Sequence, residues 1–330
     1  NKAIAGLYPP GSTIKTIVAL SALENDVMSP KTQVNCKGKI DFYGEKFHCW
    51  KKKGHGYMDM RTAIQRSCDV YFYEVARKLG VDRLSVTAKK FGLGKKVLEN
   101  FLEERPGVVP NTEWKKKYIG KNWYLGETLH SGIGQGYFQS TPMQLCLMNS
   151  QIANGGFEIK PRILINQKTQ NNLKDYLKFK NENPDDPIPI DILVQNFNLR
   201  PLFRNQENIN FVKDAMYAAT NEPGGTSYSS RLRDEKHMFA GKTGSSQVKR
   251  FTDAQREAEV KQEDLEYKFR DHALFVAYAP VKDPKYAISV VVEHGGSGSK
   301  SAAPIAKKVI QKIMERHSSR EKINNKGDTI

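Results

Sequence analysis

The chain has 330 residues, 38% hydrophobic and 10% aromatic, enough apolar material for a full core and too much for a disordered or fibrous chain. Its formal net charge is +16, but the lysines are scattered, with short clusters only at Lys51–Lys53 and Lys115–Lys117 and no DNA-reading motif beside them. The surplus reads as a solvated lysine-rich surface, which excludes a nucleic-acid partner, and no stretch reaches the roughly 18 apolar residues of a membrane span.

The sequence opens at Asn1 with no legible signal peptide, so it reads as starting inside a longer protein with any anchoring segment upstream. Pro9, Pro10 and Gly11 end an extended lead-in. Ser12 then opens a run, Ile14 to Leu23, that is apolar on almost every side and predicts a buried helix with Ser12 in its first turn. A second helix is predicted over Asp69 to Leu79, with Gly80 at its stop. Thr141 and Pro142 read as an N-cap and a first-turn proline for a helix through Leu145, Met148 and Ile152, closed by Gly155 and Gly156. The first half is thus expected to be mainly helical.

Between Gln167 and Asn208 the chain is rich in Asn, Lys and Asp, and it reads as loops and short elements. Strands are predicted at Phe239–Thr243, His272–Ala279 and Tyr286–Glu293, a likeness to an antiparallel meander, with the charged stretch Val248–Arg270 as a mobile excursion. Beyond the Gly295–Gly298 loop, Ile305, Val309, Ile310 and Ile313 recur at helical spacing, and the polar segment after His317 reads as a frayed tail. These elements give a mixed α+β fold, an antiparallel sheet flanked by helices, with one domain over 1–317 and a tail over 318–330.

Three short motifs carry chemistry. Ser12 and Lys15 lie three apart at a helix start, so both side chains project from one face, and a lysine whose charge is disfavoured can take the proton of a serine nucleophile. Downstream come Ser67-Cys68-Asp69 and Lys242-Thr243-Gly244. Ser-x-x-Lys, Ser-x-Asn and Lys-Thr-Gly in that order are the signature of penicillin-binding proteins and serine β-lactamases. Here Asp69 replaces the Asn.

The likeness extends beyond the triad to Tyr8–Lys15, Trp50–Gly56, Ser67–Tyr73, Asn111–Trp114, Gly132–Tyr137, Ala240–Gly244 and Asp271–Ala273. In these segments the chain resembles the elongation-type class B penicillin-binding proteins, the monofunctional transpeptidases of rod-shape synthesis, in which Ser-x-Asp is the usual middle motif. The resemblance implies a penicillin-binding fold with an all-helical subdomain, and a peptidoglycan D,D-transpeptidase. Ser12 would attack the penultimate D-Ala carbonyl of a stem peptide, with Lys15 as base. Ser67 would relay a proton and Asp69 complete the catalytic set. Lys242 and Thr243 would address the terminal carboxylate, Gly244 and Ser245 would line the substrate strand, and the N–H groups of Ser12 and Ser245 would hold the oxyanion. It also implies acylation by β-lactams, a membrane glycosyltransferase and rod-shape scaffold proteins as partners, and a place on the periplasmic face of the inner membrane, with anchor and pedestal outside this chain.

Cys36, Cys49 and Cys68 bracket His55, twelve, five and twelve residues intervening, and three thiolates with one imidazole satisfy tetrahedral zinc. Some elongation-type relatives resemble this in carrying a structural zinc, with Asp where Cys36 and Cys49 stand here, so the present set is softer. A Cys36–Cys49 disulfide, free thiols, or His48 as a substitute ligand are the competing readings. Cys146, in an apolar helical stretch, reads as a buried thiol. The rival functions are a D,D-carboxypeptidase or β-lactamase, for which no Glu-based water-activating motif is seen, and a non-catalytic sensor of wall fragments.

Overall fold

The apolar run after Ser12 becomes the central helix. In the computed structural model, which describes residues 1–98, 101–163, 182, 200–249, 251–252, 255, 258 and 260–327, with 317–327 by backbone alone, Gly11–Ile14 form a 3-10 turn. The turn passes directly into α1 (Lys15–Glu24), buried at every residue from Lys15 to Leu23. A helix apolar all round has to be enclosed.

Its enclosure comes from the helices that follow. Asp59 and Thr62 make a capping box for α2 (Met60–Gln65), and Cys68 precedes α3 (Asp69–Leu79). Gly80, at φ +79°, ends α3 as predicted, yet the chain turns at once into α4 (Val81–Lys90), which packs with α3 on α1. There follow α5 (Thr112–Ile119), capped by Asn111, α6 (Leu125–Gly132), and α7 (Pro142–Ala153). Thr141 and Gln144 form the capping box of α7 and Pro142 occupies its first turn, so that start was legible.

The expected meander is present. Among the described residues β5 (Ala240–Ser246), β6 (His272–Ala279) and β7 (Tyr286–Val292) form one antiparallel sheet in the order β5-β6-β7. The first of these extends past the predicted Thr243 end because Gly244, Ser245 and Ser246 pair with Leu274, Ala273 and His272. Helix α9 (Ala303–Gly327) covers one face, with Ala306, Ile310 and Met314 packed beside Phe239, Ala273 and Phe275. Its backbone continues helical to Gly327, across most of the segment read as a tail. The other face meets α7, where Asn149 donates to the Ala277 carbonyl at 2.7 Å.

Two features depart from the expectation. Helix α8 (Gln206–Asn221) begins inside the stretch read as loops and packs against α1, α2 and β5; residues 167–181 and 183–199 of that stretch lie outside the described residues. The helical first half also holds four short strands: β1 (Val34–Cys36) pairs with β4 (Gly56–Met58), and β2 (Lys39–Phe42) with β3 (Glu45–His48). Tyr43 and Gly44 join the second pair with φ +51° and +82°, the double positive φ of a tight two-residue hairpin. Among the described residues no helix is long and apolar enough to cross a membrane.

Candidate active site

Glycine packing brings the first and third motifs together. Gly11, at φ +52°, lies so close to Ser245 that an added Cβ would collide with its carbonyl, and at Gly244 a Cβ would stand 2.9 Å from the Thr13 methyl. The Ser12 turn therefore rests on β5. Ser12, half-buried, opens into a cleft of about 600 Å³ that Ser67, Asp69, Thr243, Gly244 and Ser245 also line.

Lys15 and Lys242 lie below this cleft, both fully buried. The Lys15 ammonium contacts Asp69 Oδ1 at 2.7 Å, the Ser67 carbonyl at 3.0 Å and Ser67 Oγ at 3.2 Å. Among the described residues Ser12 is not one of its hydrogen-bond partners, although the i,i+3 spacing suggested that contact. Lys242 reaches Ser67 Oγ from the other side at 2.9 Å, so a single hydroxyl links two lysines 227 positions apart in the chain. Burial, and next the Lys15 charge, hold the Lys242 amine well below the usual lysine range, with Asp69 pulling the other way. Burial likewise pushes the Asp69 carboxyl upward against the pull of Lys15.

Ser67 sits at φ +55°, a left-handed conformation that costs a non-glycine residue roughly 1–2 kcal/mol. Its neighbours fix it there. Besides Lys15, the Trp50 indole N–H donates to the Ser67 carbonyl at 3.0 Å, and the Trp50 backbone N–H donates to Asp69 Oδ2 at 2.8 Å.

Trp50 directly follows Cys49, which belongs to a second cluster. The donor atoms of Cys36, Cys49, His55 and Cys68 all lie within 4.8 Å of one another and could hold a metal ion. His55 Nδ1 stands 3.6 Å from Cys36 Sγ and 3.5 Å from Cys49 Sγ. Zinc bonds of about 2.3 Å to sulfur and about 2.05 Å to nitrogen give a tetrahedral edge of about 3.6 Å, so these residues fit that ion. All four cysteines are free thiols, so the Cys36–Cys49 disulfide is not formed. His48 is not in the cluster and lines the cleft instead. Cys146 is partly exposed rather than fully buried. The crowded thiols differ in acidity: hydrogen bonds from Cys49 and Cys68 hold Cys36 far below a free thiol, and Cys68 is pushed up in return.

The penicillin binding protein transpeptidase domain matches residues 1–311. The chain belongs to this family. This transpeptidase domain is 33% identical over 317 residues to the peptidoglycan D,D-transpeptidase MrdA of Salmonella typhimurium, covering 96% of this chain and 48% of that protein. It thus spans about half the length of the curated relatives it matches. Two solved structures are similar: Pseudomonas aeruginosa PBP2 in complex with WCK 5153, with 34% identity, a TM-score of 0.74 and coverage of 94% of this chain and 62% of that one, and the complex of PBP2 with MreC from Helicobacter pylori, with 32%, 0.77, 96% and 51%.

Several residues of the transpeptidase domain carry site geometry that motif reading passed over. Thr226 accepts from the Thr243 hydroxyl at 2.8 Å, and Gln135 Nε2 donates to the Ser245 carbonyl at 2.9 Å. Asp271 and Ser297–Ser299 also line the cleft. There Gly298 packs so tightly on the Gly244 and Leu274 carbonyls that a Cβ could not enter. Trp50 and Gln135 stood within the WKKKGHG and GIGQGY segments, but only the fold reveals their partners.

Proposed function

We propose that this domain cross-links peptidoglycan stem peptides as a serine D,D-transpeptidase. The observation that carries the reading is the Ser67 hydroxyl held between Lys15 and Lys242 beneath a cleft that Ser12 opens into. Ser12 Oγ attacks the penultimate D-Ala carbonyl, its proton passing to Lys15 as base. The peptide C–N bond breaks as Ser67 returns a proton to the departing D-Ala nitrogen. An acceptor amine then attacks the ester, and Ser12 regains its proton through the same relay. The substrate's terminal carboxylate is assigned to Lys242 and Thr243. Backbone N–H groups of Ser12 and Ser245 are assigned to the oxyanion, worth about 3–4 kcal/mol per donor.

For the cysteine cluster we infer a structural zinc held by Cys36, Cys49, His55 and Cys68. A metal with four protein ligands has no open position for water and supplies folding energy alone. Cys68 lies between Ser67 and Asp69, so ligand and catalytic loop are one piece of chain. A site of action on the periplasmic face of the inner membrane, with a membrane glycosyltransferase and a rod-shape scaffold as partners, belongs to the same reading; the Helicobacter pylori PBP2 structure is a complex with MreC.

Intact-protein mass spectrometry with labelled penicillin tests the reaction. One adduct per chain is expected, persisting for hours, and absent from Ser12→Ala. An adduct on Ser12→Ala would overturn the nucleophile; rapid turnover would favour a carboxypeptidase or β-lactamase.

A further inference from the structure

Away from the catalytic lysines, two imidazoles and a carboxylate meet behind the cleft. His272 opens β6, and His294 follows the end of β7; their rings lie 4.7 Å apart. His294 has φ +56°, uncommon for a side-chain-bearing residue, and its backbone N–H donates to His272 Nδ1 at 2.9 Å. Two residues on, Gly296 N–H donates to the Asp271 carbonyl at 2.8 Å. These two bonds, with a third between His294 Nδ1 and the Arg270 carbonyl at 3.1 Å, tie the 294–299 loop to the start of β6, and Ser297, Gly298 and Ser299 of that loop line the cleft.

We propose that His272 is a positioning residue, holding the 294–299 cleft loop through His294 only while its imidazole is neutral, so that acid releases that side of the cleft. The proposal rests on the transpeptidase reading for its effect on acylation. The chemistry is that of one nitrogen. An imidazole nitrogen that accepts a backbone N–H must carry a lone pair, whereas protonation turns both ring nitrogens into donors. A proton on Nδ1 would point at the hydrogen of His294 N–H, and the loop would have to leave.

The surroundings favour the neutral ring. Tyr8 packs edge-on at 5.5 Å, and the groove beside it is lined by Lys2, Arg105, Glu293 and His294. Glu293 favours a charged His272, but its oxygens are engaged by Lys2 at 2.6 Å and Tyr8 at 2.7 Å. Tyr267 packs at a tilt against the far ring, 5.0 Å from His294. Burial and the neighbouring His294 hold His272 below the ordinary histidine value, against the pull of Glu293.

The test compares His272→Asn with His272→Phe. The Asn amide oxygen can stand where Nδ1 does and accept the same N–H without titrating; Phe cannot accept. In wild type, the rate of acylation by labelled penicillin should fall as pH drops through and below the histidine range. His272→Asn should keep the neutral-pH rate and fall less steeply with acid than wild type, the remaining fall being that of the lysine base, while His272→Phe should be slower by about fivefold to tenfold across the range, the loss of one hydrogen bond. Hydrogen exchange of the 294–299 peptide, corrected for intrinsic pH dependence, should rise on acidification in wild type and stay flat in His272→Asn. A loop whose exchange rises equally in wild type and His272→Asn would overturn the proposal, as would full activity in His272→Phe. Absence of any adduct in wild type would instead overturn the transpeptidase reading, and the exchange measurement would still decide the latch.

Discussion

The Ser12–Ser67–Lys242 centre borrows its rigidity from two regions built in different ways. The Lys242 side rests on β5, laddered to β6 along seven residue pairs and packed on α8, with α9 covering β6 and β7. The Ser67 side depends on residues 34–58, four short strands in two separate pairs, with few buried apolar residues beyond Cys36, Phe47, Cys49 and Met58. A sheet with a core holds itself; strand pairs of this size are marginal alone. What the second region lacks in core it has in clustered thiols, so its order is expected to hang on a bound ion while that of the first is not.

The largest effect should come from cutting the link where the two regions meet. Lys15→Met removes the buried partner of Asp69, and breaking such a pair costs about 3–5 kcal/mol. Denaturant midpoints should record that loss, and acylation should fall by about 10² to 10⁴, the usual worth of a positioned base. Adding Asp69→Asn should restore much of the stability and none of the rate, which separates folding from chemistry.

Metal removal probes the contrast itself. Metal at a thousand times its dissociation constant stabilises by about 4 kcal/mol, and a chelator should take this away. Hydrogen exchange should then rise in 34–58 and at Ser67–Asp69, with β5–β7 unchanged; uniform loosening of both regions would erase the distinction drawn here.

The sheet side has its own signature in pH. The buried Lys242 binds its proton more weakly when folded than when unfolded, so the unfolded chain holds more protons between the depressed value and about pH 10.4. Stability should therefore rise with pH in that window, by at most about 1.4 kcal/mol per pH unit. Lys242→Met should flatten the slope in urea titrations.

Trp50→Phe is the mildest probe. It deletes the indole bond to the Ser67 carbonyl but keeps the backbone bond to Asp69, so acylation should drop by about fivefold to tenfold, equivalent to about 1 kcal/mol, with the fold intact. Loss of the metal in this variant would indicate that Trp50 supports the ligands and not the serine.

How much of this was legible in the sequence follows the physics of each region. The apolar run of α1, the capping box of α7 and the β-rich segments of β6 and β7 are local signals, and their elements form where the residues indicate. The cysteine set was readable because ligand chemistry restricts residue type. The strands that carry it were not: three or four residues show no useful periodicity, and only the Tyr43-Gly44 turn marks them. Helix α8 was hidden by its polar lead-in from Asn205. The motif reading joined Lys15 to Ser67, but i,i+3 spacing pointed to Ser12 and gave no sign of the Asp69 carboxylate that meets the amine from 54 positions away.

The fit of Gly298 against the backbones of β5 and β6 limits how this domain can vary. Main-chain atoms set the gap on that side, so exchanging side chains cannot open it by small degrees; any larger residue at 298 has to displace a strand. Tolerance for bulkier or slimmer inhibitors is therefore expected to accumulate at Glu45 and Lys46, which face the cleft with exposed side chains.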